Sequence, residues 1–173
     1  MTVGGRVTPQ AGTAYNIFTT LDEPLADALT QGLAIPTTID NDTRCMTYGE
    51  WLQGCCRGLQ HVVFINVSWG IGMGIIIDGK RYAGRSGYAG EMGHVHCYDN
   101  DIICHCGKTG CMETETSGAA LLRKVMQRLR NGQVSILSNT PENELSLQAI
   151  LDAIQREDIL CIDALQEVAT ELG

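Results

Sequence analysis

Residues 87–115 bring histidine and cysteine side chains together in a loop punctuated by glycine. Cys104 and Cys106 flank one residue, Gly107 and Gly110 let the backbone fold back, and Cys111 returns toward the same point. His94, upstream of Cys104, completes a Cys₃His set, although His96, His105 and Cys97 compete for a ligand place on spacing alone. Such a set suits tetrahedral Zn²⁺, and four protein ligands close the site, so the metal would hold the loop rather than perform chemistry. Ordinary buried thiols do not require Cys-x-Cys-Gly-x-x-Gly-x-Cys, which favours the metal over a plain core role.

A second group of chemical residues lies earlier. The β-branched run 35–40 delivers Asn41 and Asp42 to the point where a helix is predicted from Thr43 to Cys56. Ligands of α/β sheets sit outside the carboxyl ends of strands, so this pair is placed to face a site. Asp42 could equally cap the following helix. Between two predicted strands, Trp69-Gly70-Ile71-Gly72-Met73-Gly74 offers Gly70, Gly72 and Gly74 as a weak phosphate loop, or simply as a tight hairpin.

Gly90-Glu91-Met92-Gly93-His94, followed by Cys104-His105-Cys106-Gly107 and Gly110-Cys111-Met112-Glu113, resembles the signature of the ROK family, which groups sugar kinases with sugar-responsive transcription repressors. The resemblance implies zinc on His94, Cys104, Cys106 and Cys111, and sugar hydroxyls bound by Glu91, Glu113 and His94. It also implies that Asn41 binds a neighbouring hydroxyl, and that Asp42 is the carboxylate that takes the sugar proton in the kinases. Glu50, at the family's offset along the next helix, is read as structural or exposed. Zinc on one ring nitrogen fixes the other, so His94 could present a directed hydrogen bond to a ligand.

By the same resemblance the fold is α/β, the actin/hexokinase-like (ribonuclease H-like) ROK fold, incomplete at both ends. Residues 1–39 would end the first lobe, and 40–173 would form most of the second, with a zinc loop at 87–113. The family's Asp-x-Gly-Gly-Thr phosphate loop and its adenosine-binding glycine pair have no counterpart here. Family kinases carry Gly-Thr-Gly where this chain has Ser68-Trp69-Gly70, which puts an indole where nucleotide phosphates would pass. The expectation is therefore the effector-binding portion of a sugar-sensing regulator, with an ATP-dependent, glucokinase-like sugar kinase using Asp42 as base as the alternative. Zinc is the structural cofactor, and ATP with magnesium belongs to the kinase reading alone.

The elements that must position these residues follow from pattern. The glycine-rich opening 4–12 shows no hydrophobic strand. A short helix is expected from Pro24 to Gln31, with Pro24 in its first turn and Gly32 past its end. Strands are expected at 61–68, a buried run, and at 75–77, with Asp78-Gly79 turning into 80–83, which makes a meander. Helices are expected at 116–130, with Ala120, Leu121, Val125 and Leu129 on one face, at 145–155, and at 158–172, apolar at Ile159, Ile162, Leu165 and Val168.

Composition bounds the rest. The chain of 173 residues is 44% hydrophobic, enough for a core, and has no apolar run near the ~20 residues of a membrane span. No signal peptide opens it, and eight cysteines suit a reducing cytoplasm better than disulfides. Cys45, Cys55, Cys56 and Cys161 fall in helical patterns and read as core thiols. The formal charge of −8 argues against direct nucleic-acid binding by this chain. Arg123, Lys124, Arg128 and Arg130 read as a solvated helix face. The partners expected are a sugar or amino sugar and, because an incomplete lobe leaves apolar surface uncovered, further copies of the chain.

Overall fold

The computed structural model describes residues 1–15 and 22–173, so part of the expected first-lobe segment lies outside the described residues. The chain divides into two compact units, Met1–Asn66 with Gly72–Met92, and Val67–Ile71 with Gly93–Gly173.

In the first unit the opening is more ordered than its glycines suggest. Strand β1 (Thr2–Val3) pairs in parallel with β4 (Asp40–Asn41), while β2 (Arg6–Thr8) and β3 (Thr13–Tyr15) form an antiparallel hairpin. A hydrophobic strand was not visible in the sequence because each of these strands has only two or three residues, too few for a period to show. Val3, Val7, Ala14 and Ile39 close a small core against Leu25 and Ala26 of α1 (Leu25–Leu33). Pro24 caps α1 from outside rather than opening it, and Gly32 lies within it; left-handed Ala34 ends the helix two residues later than expected. Of the 35–40 run, only Asp40 is in a strand.

Helix α2 (Asp42–Gln53) begins on Asn41, whose side chain accepts a hydrogen bond from Arg44 N, so the cap is Asn41 and not Asp42. It stops at Gly54, short of Cys56, and the backbone N–H of Cys55 donates to the Glu50 carboxylate at 3.1 Å. Cys55 is consequently exposed, and Cys45 and Cys56 are half-buried; Cys161 alone of the four expected core thiols is buried.

Strands β5 (Val62–Val67), β6 (Ile71–Ile77) and β7 (Lys80–Arg81) form a sheet in that order. The run read as a buried strand alternates instead: Val62 is buried, whereas Val63 is 62% exposed and Ile65 and Val67 are also exposed. An edge strand covered on one face keeps its apolar residues on both, which hides the period. Strand β6 starts at Ile71, so Gly72 and Gly74 are strand residues packed on α2. A Cβ at Gly72 would lie 2.9 Å from Thr43 Cβ, and one at Gly74 would lie 2.6 Å from Thr47 Cβ. The hairpin is the form this stretch adopts.

The second unit is mainly helical. Short α3 (Glu113–Thr116) leads to Ser117, which caps α4 (Gly118–Arg130) by accepting from Ala120 N, so the helix expected from 116 is broken there. Helix α5 (Leu147–Gln155) and α6 (Ile159–Leu172) pack on α4 around Leu121, Val125, Ile150, Ala153, Leu160, Cys161, Ala164 and Val168. The buried face of α6 is therefore 160/161/164/168, and Ile159 and Leu165 point outward. The basic residues of α4 are not merely solvated. Lys124 pairs with Glu115 at 2.8 Å and Glu167 at 2.6 Å, Arg128 with Glu167 at 2.7 Å, and Arg123 with Glu115 at 2.9 Å. Among the described residues no helix is long and apolar enough to cross a membrane.

Candidate metal centre and ligand site

The loop after the 3₁₀ turn Met92–His94 is shaped by backbone bonds. Cys97 N and Tyr98 N both donate to Gly110 O, Met112 N donates to Val95 O at 2.9 Å, and Cys104 N donates to Lys108 O at 2.7 Å. Gly107 and Gly110 have φ of +86° and +70°, the left-handed turns that bring the third thiol back. At Gly110 a side chain would also strike Tyr98 O and the His96 ring.

The result is that one ligand atom from each of His94, Cys104, Cys106 and Cys111 lies within 4.8 Å of the others. His94 Nδ1 is 3.5 Å from Cys104 Sγ, and the Cys106 and Cys111 sulfurs are 3.6 Å apart. A tetrahedral zinc ion with Zn–S near 2.3 Å and Zn–N near 2.0 Å sets its donors about 3.5–3.8 Å apart, so the donor set fits. Two competitors point elsewhere: His96 Nδ1 is 3.2 Å from Thr109 O and its Nε2 is 3.6 Å from Asp99, and Cys97 is exposed. His105 stays close, with Nδ1 2.8 Å from Glu113 Oε1 and 3.9 Å from Cys104 Sγ, and His94, His105 and Glu113 make a second group whose donor atoms lie within 4.8 Å of one another. Burial pushes the Cys104 thiol up to about 12 and raises Cys111 too, with Cys106 adding to the latter. Burial also opposes ionisation of Cys106, but the Lys108 backbone N–H and the flanking thiols outweigh it and lower that group.

Glu113, 8% exposed, sits beside this cluster. Its Oε2 accepts from Ile71 N at 2.8 Å, and its Oε1 lies 2.8 Å from His105 Nδ1. Gly70 makes room for it, since a Cβ there would come 3.2 Å from the Glu113 Cδ. The Ser68 and Trp69 carbonyls accept from Gly118 N and Ala119 N, so the first amides of α4 are already engaged.

The remaining expected residues belong to the first unit. Asn41 uses its side chain twice, accepting from Arg44 N and donating to Gly5 O, both at 3.0 Å. Asp42 Oδ1 accepts from Thr43 N at 2.7 Å. Glu91 lies 3.7 Å from Arg6 Nε, and the Arg6 guanidinium lies 6.0 Å from the Tyr88 ring centroid. Sequence alone assigned no role to Arg6 or Arg44, whose contacts are set by the tertiary fold, and it offered His105 only as a competing metal ligand, not as a partner of Glu113.

A mixed α/β architecture carrying a Cys₃His loop after Gly-Glu-Met-Gly-His defines the class, and the chain belongs to the ROK family, whose model matches residues 1–173. Over 152 residues it is 32% identical to the xylose repressor of Bacillus subtilis (strain 168), covering 88% of this chain and 36% of that protein. It is 29% identical over 149 residues to the N-acetylglucosamine repressor of Escherichia coli O157:H7, covering 86% of this chain and 36% of the repressor. The chain thus spans about a third of the length of these curated relatives. Among solved structures it is similar to a ROK family transcriptional regulator, a homolog of the E. coli MLC protein, with a TM-score of 0.81 and 30% identity over 99% of this chain and 43% of that one. It is also similar to a ROK family glucokinase from Streptomyces griseus in complex with glucose and AMPPNP. That TM-score is 0.87, with 29% identity over 98% of this chain and 57% of the glucokinase. The fold is accordingly the actin/hexokinase-like fold shared by ROK repressors and sugar kinases.

Proposed function

We propose that this chain is the sugar-sensing, effector-binding portion of a cytoplasmic ROK-type transcriptional regulator. The observation that carries the reading is the convergence of His94, Cys104, Cys106 and Cys111 beside the buried carboxylate of Glu113. Zinc would supply a fixed charge that holds the loop and orients the His94 ring. The protein's own residues do the recognition: His94 and Glu113, side by side in the second unit, bind hydroxyls of a hexose or amino sugar, while the hydroxyl-binding roles of Asn41, Asp42 and Glu91 rest on the family resemblance. Ligand binding acts by favouring one arrangement of the longer protein, whose DNA-binding segment lies outside this chain. Residues 1–39 and 40–173 are assigned to the first and second lobes of that longer fold. Exposed Val63, Ile65 and Val67 favour self-association of the chain on its own.

The kinase alternative is favoured by the similarity to the glucokinase. In that reading Asp42 takes the proton of the attacking hydroxyl, and ATP with magnesium completes the reaction. Exposed Trp69 and the occupied amides of α4 weigh against it. Positioning supplies most of the rate in phosphoryl transfer, so a base without an aligned donor accomplishes little. The test has two arms, calorimetric titration with D-glucose, D-xylose and N-acetyl-D-glucosamine, and a coupled ADP-release assay with Asp42→Asn as control. Sugar binding without turnover supports the sensor. Turnover that vanishes in Asp42→Asn establishes the kinase, and no binding to any of the sugars removes both.

A further inference from the structure

We infer that His105 is a positioning residue for the ligand-facing carboxylate of Glu113, an inference that rests on the sugar-binding role proposed for that glutamate. The observation is a two-sided clamp. Ile71 N–H holds Oε2 at 2.8 Å, and His105 Nδ1 lies 2.8 Å from Oε1. A carboxylate oxygen only accepts, so the imidazole nitrogen is the donor and the His105 ring is in the Nδ1–H form. Each carboxylate oxygen has two acceptor sites; Cys104 Sγ also lies 3.7 Å from Oε1, so the site left for a ligand hydroxyl is on Oε2, beside the Ile71 amide.

The clamp matters because Glu113 is buried while its partner is not. The His105 side chain is 53% exposed and the Glu113 side chain 10%. His105 therefore covers the carboxylate from the solvent side, and its ring stands edge-on to His94 with centroids 4.9 Å apart. A ligand hydroxyl that reaches Glu113 meets a carboxylate whose direction is already fixed. Fixing both oxygens before the ligand arrives removes the ordering cost of a rotating carboxylate. Position 105 lies between Cys104 and Cys106 of the Cys₃His set, so its ring is placed by the same turn that gathers those thiols. The 2.8 Å contact of Nδ1 with Glu113 Oε1 is a hydrogen-bond distance, which assigns the ring to the carboxylate.

The experiment uses the zinc-loaded chain with His105→Ala and His105→Asn, since the Asn side-chain amide can donate from nearly the position of Nδ1. Zinc content is measured in every variant. Sugar affinity is read by titration with the three sugars named above and with monodeoxy glucose analogues. His105→Ala is expected to keep its zinc and lose about tenfold in affinity, the scale of one charge-assisted hydrogen bond, and His105→Asn to recover most of it. The loss should vanish for the one deoxy analogue that lacks the hydroxyl Glu113 accepts, which a merely structural role would not produce. Unchanged affinity in His105→Ala, or an equal loss in both variants accompanied by loss of zinc, would overturn the inference. Long-range ¹H–¹⁵N spectra of the His105 ring decide it independently of any sugar. A bonded Nδ1–H that disappears in Glu113→Gln supports the clamp even if no sugar binds and the functional reading falls. A ring in the Nε2–H form in the wild-type chain refutes the clamp.

Discussion

Arg44 and Asp40 form a buried ion pair across the start of α2, with Arg44 Nη2 2.8 Å and Nε 2.9 Å from the same carboxylate oxygen. The guanidinium also donates to Val7 O at 2.7 Å and to Gly87 O, while Arg81 pairs with the other oxygen of Asp40. One side chain therefore ties β2, β4, α2 and the loop that leads to Glu91.

Removing Arg44 leaves Asp40 with Arg81 as its remaining ion-pair partner and takes a donor from Val7 O and Gly87 O. Arg44→Ala is expected to lower stability by about 2–3 kcal/mol. Arg44→Lys should recover little, because a single ammonium cannot reproduce the planar fork that reaches Asp40, Val7 O and Gly87 O together. Urea unfolding followed by circular dichroism measures both, and a near-neutral Arg44→Lys would contradict this account.

Asp158 anchors the helical unit. It caps α6 by accepting from Cys161 N at 3.0 Å, and its second oxygen accepts from Ile136 N at 2.8 Å and Ser135 Oγ at 2.9 Å. Burial alone would raise its pKa, but these bonds outweigh it and hold the carboxyl below its usual range. Because the folded value is depressed, its stabilisation is complete above the unfolded value of about 3.9 and is lost as pH falls through the lower folded value. Asp158→Ala should destabilise by about 2 kcal/mol at neutral pH, with the difference from wild type shrinking toward pH 3. A difference that stays constant with pH would assign the effect to packing instead.

Two glycine substitutions should act in opposite directions. Gly74→Ala puts a Cβ 2.6 Å from the Cβ of Thr47, whose Oγ1 is bonded to Thr43 O, and should cost about 1–3 kcal/mol by overpacking. Gly32→Ala, inside α1 with open space around it, should gain about 0.5–1 kcal/mol. Thermal midpoints of the two variants are compared with wild type, and a shared sign would show that backbone freedom, not the fit of β6 on α2, governs both.

Metal removal separates the two cysteine groups. Cys111→Ser is expected to abolish stoichiometric zinc, whereas Cys55→Ser, on an exposed turn far along the sequence, should retain it. Elemental analysis reads the content directly. Affinity should rise with pH, since thiols must give up protons to bind the ion. Zinc retained in Cys111→Ser would remove that residue from the ligand set.

The candidate metal loop was legible because gathering three thiols at one point requires a residue pattern, and glycines at fixed offsets let the chain return. Helices α4 and α5 were legible from their period, but their Ser117 and Ser146 caps were not, so both helices were expected to start two residues early. The rest was hidden for identifiable reasons. Strands β1 to β4 are too short to carry a period, and Asn41 and Asp42 are both good caps, so only geometry chose between them. In α6, Leu160 and Cys161 are adjacent and both buried, which shifts the buried stripe away from Ile159 and Leu165. The clamp on Glu113 depended on a backbone N–H, Ile71, which no side-chain pattern can announce.

That last bond also bears on the order in which the chain can close. The Ile71 amide reaches a carboxylate 42 residues further along, and the helical unit spans a similar distance, since Lys124 and Glu167 are 43 residues apart. Loops of such similar length cost nearly the same entropy to close, because that cost grows only with the logarithm of length. Sequence order then decides: during synthesis from the ribosome, Glu113 emerges before α4, α5 and α6, so residues 67–71 can be matched as soon as the loop has turned back at Cys111. Zinc starvation, by leaving that loop unformed, should keep residues 67–71 unmatched and open to proteases near Trp69.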